Sequence, residues 1–491
     1  PCADRTGGGR TGRPRARARN YQEVTEIMQA TNRRRSRSKQ PRMTMWTAIF
    51  AFGSLVGVGA CTASAEEVRP PNNQLYFPTG AAIAPDESFL FIANANSELR
   101  FDSGAISVLE LANIDRIVED WLTARTVPEF IVDGQPACKQ DPVQSETLAC
   151  DETPFIAENA GVRIGNFATE IAVQDLDNGN LRLVVPTRGD PSIAWVDWNG
   201  SRLQCSSASE GFSLCDDKHR LSFVQSIPDL AIPEEPFGVF ADTAGEFAIV
   251  THLTTGAVTL IDSPKAGDAQ VADVAVGVFL ADPNTGLRGA TGVAGRTPKA
   301  SGDIVYVGSR SEDRIQTFTV GRPVNGAAPF LLQGNWFFLD SAGGNSGNSS
   351  DTRGMAFSPD GNRLYLVNRR PPTLQVFDTS NAPTGFPKNE PLAVADICRQ
   401  ASTLAVADTG DGERAYVTCF QDGQLYVVDP IRGQVDIVVV GRGPYSVVAA
   451  PTRKKLYVTN FLEDTIAVID LTPNSLTRNR VVLRIGRPRG T

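Results

Sequence analysis

The chain has 491 residues, 41% of them hydrophobic, with 47 Lys and Arg against 55 Asp and Glu and only 2 His. Residues 1–60 hold 12 of the basic and 3 of the acidic side chains, so the remainder carries a formal charge of −17. A body this acidic argues against nucleic-acid binding. Two His and no CxxC pair leave little for a haem-carrying or His-rich metal protein.

Residues 1–27 are rich in Arg and Gly and read as upstream sequence. From Met28 a different pattern begins: a basic stretch at Arg33–Arg42, an apolar one at Trp46–Val58, then Val58-Gly59-Ala60-Cys61. This is the order of a secretory signal, and the apolar run is shorter than the ~20 residues that span a bilayer. The last four residues resemble a bacterial lipobox. The resemblance implies cleavage before Cys61 and a lipid on Cys61; the alternative is an ordinary signal peptide cut near Ala63 or Ala65. Thr62 after the Cys favours the outer membrane by the same analogy, on either its periplasmic or its outer side. Cys61–Asn73 then serves as a tether, and residues 74–491 form the folded body.

That body is repetitive. Pro236–Asp262, Thr352–Asp378 and Pro444–Asp470 align without a gap. Each holds three short strands, rich in Val, Ile and Tyr and separated by turn residues. In the last copy they are Ser446–Ala450 (a), Lys455–Thr459 (b) and Thr465–Ile469 (c). Strand b closes on Asn94, Thr187, His252, Ser309, Asn368, Cys419 and Asn460 in seven successive copies. Strand c closes on Glu110, Asp197, Asp262, Thr319, Asp378, Asp429 and Asp470. A fourth strand follows most copies, as at Val435–Val440 and Val481–Ile485. The pattern predicts an all-β, seven-bladed propeller of four-stranded antiparallel blades. An open solenoid or two sandwiches are the alternatives. Ring closure is expected to pair Gln74–Phe77 with Val481–Ile485.

Leu456-Tyr457-Val458-Thr459-Asn460 and Ile466–Asp470 resemble the YVTN family of seven-bladed propeller repeats, found in bacterial envelope and archaeal surface-layer proteins. The resemblance spans roughly Leu75 to Ile485. It implies the fold and says little of activity, because the motif residues are structural. Copies 2 and 4 depart most from it.

Leu111–Val162 interrupts the first copy. Ile114, Ile117, Val118, Trp121 and Leu122 recur at helical spacing, which predicts a short helix over 113–124 packed on the propeller. Ser341–Ser350 reads as a Gly/Ser/Asn surface loop. Six further cysteines, Cys138, Cys150, Cys205, Cys215, Cys398 and Cys419, read as disulfides in an exported protein. Their spacing suggests pairing between neighbours, although six cysteines allow 15 connectivities.

Catalytic motifs are absent: no G-x-S-x-G, P-loop or H-E-x-x-H occurs. His252 stands where the best copies have Asn and reads as a turn residue; His219 is expected in solvent. Asp175–Asn180 reads as a polar hairpin turn, since its Gly is misplaced for a calcium loop. No cofactor or metal is implied. One pattern points to ligand binding. Arg188, Arg310 and Arg369 follow strand b in three copies, with Arg370 beside them, and Arg288, Arg353 and Arg442 lie just before strand a of their copies on the same predicted face. Guanidinium groups around a channel mouth suit a carboxylate or phosphate. Asp190, Glu312, Asp313, Glu463 and Asp464 on the same loops are candidates to neutralise them.

The leading expectation is a non-enzymatic, lipid-anchored envelope propeller. Its partner would be an envelope protein, a glycan or a small anionic molecule, not nucleic acid. The alternatives are a propeller hydrolase such as a lactonase and a structural, surface-layer-like protein.

Overall fold

The computed structural model describes residues 68–486, apart from the short stretches 208–210, 223–229, 245, 283–284, 297–303, 325–326 and 340–349. The signal segment, Cys61 and nearly all of the Ser341–Ser350 loop lie outside the described residues. Seven sheets follow one another along the chain, each an antiparallel meander with strand a innermost. The inner strands are Pro78–Ile83, Ala172–Asp175, Pro236–Asp242, Ala290–Gly295, Thr352–Phe357, Ala401–Asp408 and Pro444–Ala450. The chain folds as the seven-bladed propeller that its repeats predict. Blade 2 departs in one way: its outermost position is shared by Leu203–Gln204 and Arg220–Ser222, both pairing with Ser192–Trp198.

Seven apolar cores hold the ring, one between each pair of neighbouring blades. Strand b of blade 7, Lys455–Asn460, shows how one strand serves two of them. Leu456 and Val458 enter the core shared with blade 6, while Tyr457 enters the one shared with blade 1. Successive side chains point to opposite faces of a strand, and here both faces are covered. The strands therefore read as nearly continuous apolar runs.

A second set of contacts ties the inner strands together. In blades 3, 6 and 7 the residue before the end of strand b is Thr251, Thr418 and Thr459. Each hydroxyl accepts a hydrogen bond from the inner strand of its own blade, at Gly238, Thr403 and Ser446. Each donates to a carbonyl of the next blade, at Thr291 (2.7 Å), Tyr445 (3.2 Å) and Thr79 (2.8 Å). Blades 1, 2 and 4 have Ala93, Pro186 and Gly308 at that position, with no hydroxyl to offer. There the inner strand supplies it: Thr79 donates to Ala168, Thr169 to Phe237 and Thr291 to Thr352. Blade 5 has Val367, and Arg369 Nε reaches the Ala401 carbonyl of blade 6 at 2.5 Å instead. Thr459→Val is expected to cost about 1–3 kcal/mol, since it strips partners from buried polar groups. Urea unfolding checks this; a variant as stable as the parent would remove the hydroxyl ring from the account.

Closure differs from expectation. Gln74–Phe77 forms no strand, and the four-stranded meander of every blade is built from its own stretch of chain. The outer strand of blade 7, Arg480–Ile485, pairs in parallel with Leu148–Cys150 from the blade 1 insertion, which makes blade 7 six-stranded. Gly486 N–H donates to the Cys150 carbonyl (2.9 Å) and Thr147 Oγ1 to that of Val481 (2.6 Å). Helix α1 (Leu111–Ala124) buries Leu111, Ile114, Ile117, Val118 and Trp121 in the same inter-blade core. The predicted helix thus seals the seam between the last blade and the first. Phe77 N–H donates to Asp464 Oδ1 across that seam at 2.6 Å.

Three disulfides join Cys138 to Cys150, Cys205 to Cys215 and Cys398 to Cys419. The first closes the hairpin that caps blade 7, and the last links the lead-in to blade 6 with the end of its strand b. Such bonds mark an oxidising, exported compartment. Among the described residues no helix is long and apolar enough to cross a membrane.

Candidate site at the channel mouth

In each blade one bridge joins the start of the inner strand, or in blade 2 the chain just ahead of it, to the last residue of strand b, or in blade 5 the residue before it: Pro78–Asn94, Ala168–Thr187, Pro236–His252, Ala290–Ser309, Thr352–Asn368, Ala401–Cys419 and Pro444–Asn460. The register then slips, so two residues per blade bulge at the channel mouth. Bulges re-aim side chains and are common beside functional sites. The second bulge position gives Gly80, Glu170, Gly238, Gly292, Gly354, Thr403 and Ser446. Below it lies an apolar tier of Ala81, Ile171, Val239, Val293, Met355, Leu404 and Val447. All of these but Gly238 line a cavity of about 140 Å³ in the channel.

Glu170 is the one ionisable side chain lining that cavity among the described residues. It is half-buried and accepts a hydrogen bond from Val239 N–H at 3.3 Å. Burial pushes its carboxyl up to about 7.

Above the cavity, the residues that follow strand b stand at equivalent places around the mouth: Ala95, Arg188, Leu253, Arg310, Arg369, Phe420 and Phe461. All but Phe420 donate a backbone N–H to the residue just before the inner strand of their own blade. The expected arginines divide into three groups. Arg188, Arg310, Arg353, Arg369 and Arg370 come together. Repulsion by Arg353 helps to lower the pKa of both Arg310 and Arg369, after burial, and Arg369 falls to about 10. Arg353 lies within the inner strand of blade 5, not ahead of it, over the Phe237 ring at 5.8 Å. Arg288 stands apart, lining a cleft with Thr254, Thr255 and Val276. Arg442 is exposed and faces Glu463 at 3.5 Å.

Ion pairing within the cluster is uneven. Arg188 pairs with Glu235 (2.6 Å) and Arg353 with Asp351 (2.8 Å). Arg369 is bound to blade 6, as described above. Arg370 reaches the Arg310 carbonyl at 3.4 Å. The half-buried Arg310 guanidinium has no hydrogen-bond or ion-pair partner among the described residues; Asp351 and Glu235 act on it only through space. Of the acids expected to neutralise the arginines, Glu463 does so for Arg442, while also facing Arg484; the others are occupied elsewhere. Glu312 pairs with Arg314, Asp313 accepts from Ser350 N–H, and Asp464 holds Phe77. Asp190 accepts from Asn166 N–H and lies 3.7 Å from Arg220.

The other side of the mouth is aromatic. Phe461 lies 5.4 Å from Phe77, 6.1 Å from Phe420 and 6.3 Å from Tyr445, ring centre to ring centre. Tyr445 joins the two sides: burial pushes its phenol up to about 12, Glu170 acts in the same direction, and Arg353, Arg188 and Arg369 oppose them. It is therefore a neutral hydroxyl at physiological pH. The sequence reading missed Glu170, Tyr445 and Phe461, because none belongs to a motif. The available signal was positional, since they share repeat positions with Gly354, Arg353 and Arg369.

The histidines serve the fold. His252 is fully buried; its Nε2 meets Thr259 Oγ1 (2.8 Å) and its Nδ1 the Glu234 carbonyl (3.1 Å). Asn460 makes the equivalent pair of contacts, to Thr465 Oγ1 and the Val440 carbonyl. His219 is not solvated as expected: it stacks on Trp195 at 4.1 Å and bonds Asp216. The Asp175–Asn180 segment is a hairpin turn, and Asp177 pairs with Lys265.

Burial lowers His252 to about 4 and raises Glu170 to about 7. Their pH effects therefore oppose each other. The unfolded His binds a proton that the folded one refuses, so stability falls as pH drops from about 6.5 to 4. The folded Glu170 holds a proton that the unfolded one releases, so stability falls as pH rises from about 4.5 to 7. Asp464, raised by burial to about 6, acts in the same sense as Glu170. Relative to the parent, Glu170→Gln should gain stability as pH rises through that window, and His252→Asn should gain as pH falls. Chemical unfolding at several pH values reads both; a flat difference curve for either variant removes that group from the account.

No family model matches the chain, and no curated relative matches it. Among solved structures it is similar to the hydrazine synthase of Kuenenia stuttgartiensis, at 14% identity and a TM-score of 0.50 over 87% of this chain and 100% of that one. It is also similar to a 6-phosphogluconolactonase-like protein of Bacteroides fragilis, at 14% identity and a TM-score of 0.51 over 82% and 99%. At such identities the likeness shows the fold alone. The class is a seven-bladed β-propeller with an arginine-lined channel mouth.

Proposed function

We propose that this protein is an exported binding propeller that receives an anionic ligand at its channel mouth, held at the envelope by a lipid on Cys61. The observation that carries the reading is Arg310, a half-buried cation without a partner among the described residues, set among Arg353, Arg369 and Arg370. Charge-assisted contacts to such a group are the strong ones. Arg310→Met is expected to weaken anion binding about tenfold or more without lowering the melting temperature. Calorimetry with small carboxylates and phosphate tests this; anion binding that ignores Arg310 removes the mouth from the reading.

Glu170 favours a second reading, a hydrolase of sugar lactones. A carboxylate raised to about 7 is tuned for general base work near neutral pH. The likeness to a lactonase-like protein fits this at the level of fold only. Turnover of glucono-δ-lactone that disappears in Glu170→Gln would establish the activity; no turnover by the parent would end this reading.

A further inference from the structure

Building on the anion-binding reading, we propose that the mouth takes a planar aryl carboxylate, its acid group on Arg310 and its ring against Phe461, Phe420 and Tyr445. Two independent features point there. The equivalent positions after strand b carry Arg in blades 2, 4 and 5 and Phe in blades 6 and 7. One repeat position is thus cationic on one arc and aromatic on the next.

The second feature is how the large side chains of the inner strand are released. At the first bulge position, Thr79, Thr169 and Thr291 are committed to the next blade. Strand b carries that bond in blades 3, 6 and 7, through Thr251, Thr418 and Thr459, and Arg369 carries it in blade 5. Of those four blades, blade 6 has the small Ser402 at this position, and the other three present Phe237, Arg353 and Tyr445. Phe461 and Phe420 are half-buried, and Tyr445, a neutral hydroxyl, lies 6.3 Å from Phe461 and within reach of the charges of Arg353, Arg188 and Arg369. Aromatic rings offer a flat ring a stacking surface, and a guanidinium donates two parallel hydrogen bonds to a carboxylate. A neutral arene leaves the guanidinium unmatched, and an open-chain sugar acid leaves the rings without a flat partner.

The test measures binding of benzoate, benzamide, acetate and gluconate to the full-length protein by calorimetry. Benzoate is expected to bind about tenfold more tightly than the other three. Phe461→Leu should weaken benzoate about fivefold while leaving acetate unchanged, and Arg310→Met should weaken both acids. Phe420→Leu provides a second aromatic variant should Phe461→Leu lower the melting temperature. Gluconate binding as tightly as benzoate, or benzoate indifferent to both Phe variants, overturns the aryl class and leaves the anion reading standing. Acids that bind equally to the parent and Arg310→Met overturn the anion reading itself.

Discussion

Gly292→Ala should lower stability by about 3 kcal/mol, more than any other methyl addition discussed here. A Cβ on Gly292 would lie 2.0 Å from the Arg353 carbonyl oxygen and 2.9 Å from Met355 Cγ. Both belong to the inner strand of blade 5. That strand cannot simply retreat, because the neighbouring Thr291 hydroxyl is bonded to the Thr352 carbonyl. Gly80, Gly238 and Gly354 hold the same bulge position, and a Cβ there would come within 2.6, 2.3 and 2.7 Å of backbone atoms in the next blade. The glycines let the inner strands meet at main-chain distance. Thr403 and Ser446 occupy the position in blades 6 and 7, so Thr403→Ala is the mild control. Thermal unfolding decides between them: a Gly292→Ala protein that melts with the parent would show that the inner ring has slack the geometry does not reveal.

The second large effect is expected at the seam. Trp121→Ala should cost about 3–5 kcal/mol, the range for removing a buried Trp from a core. Trp121 is 2% exposed, packs in the core shared by blades 7 and 1, and donates its indole N–H to the Glu146 carbonyl at 2.8 Å. Glu146 immediately precedes Thr147, which is bonded to the outer strand of blade 7. The loss should therefore loosen helix and hairpin together. Hydrogen exchange separates this from a local defect. Faster exchange in Arg480–Ile485 is the expected result, and exchange confined to the helix would mean that the insertion only decorates the ring.

The blades were legible because each repeats the same chemistry. The ends of strand b read from Asn94 to Asn460 fall within one residue of the observed ends in all seven copies. The helix was legible because five apolar residues recur at its period. Closure was not legible, because Leu148–Cys150 is three residues long and resembles a loop. Nothing local says that it will join a strand more than 330 positions later. The arginines could be placed on one face by counting. Which of them would be free could not, since pairing depends on Asp351, Glu235 and the Ala401 carbonyl, brought near only by the ring. His219 went astray for a similar reason: Trp195 precedes it by 24 positions and becomes its stacking partner through the cross-strand fold of blade 2.

Every blade here takes its inner strands from one unbroken stretch of chain. A duplicated or deleted coding segment running from one inner strand to the next would therefore add or remove a whole blade, with no strand left lacking its neighbour. A ring closed by exchanging a strand between its ends would demand an offset cut. The one part that cannot be copied freely is the blade 1 insertion, which recognises a particular last blade and so marks where counting must stop.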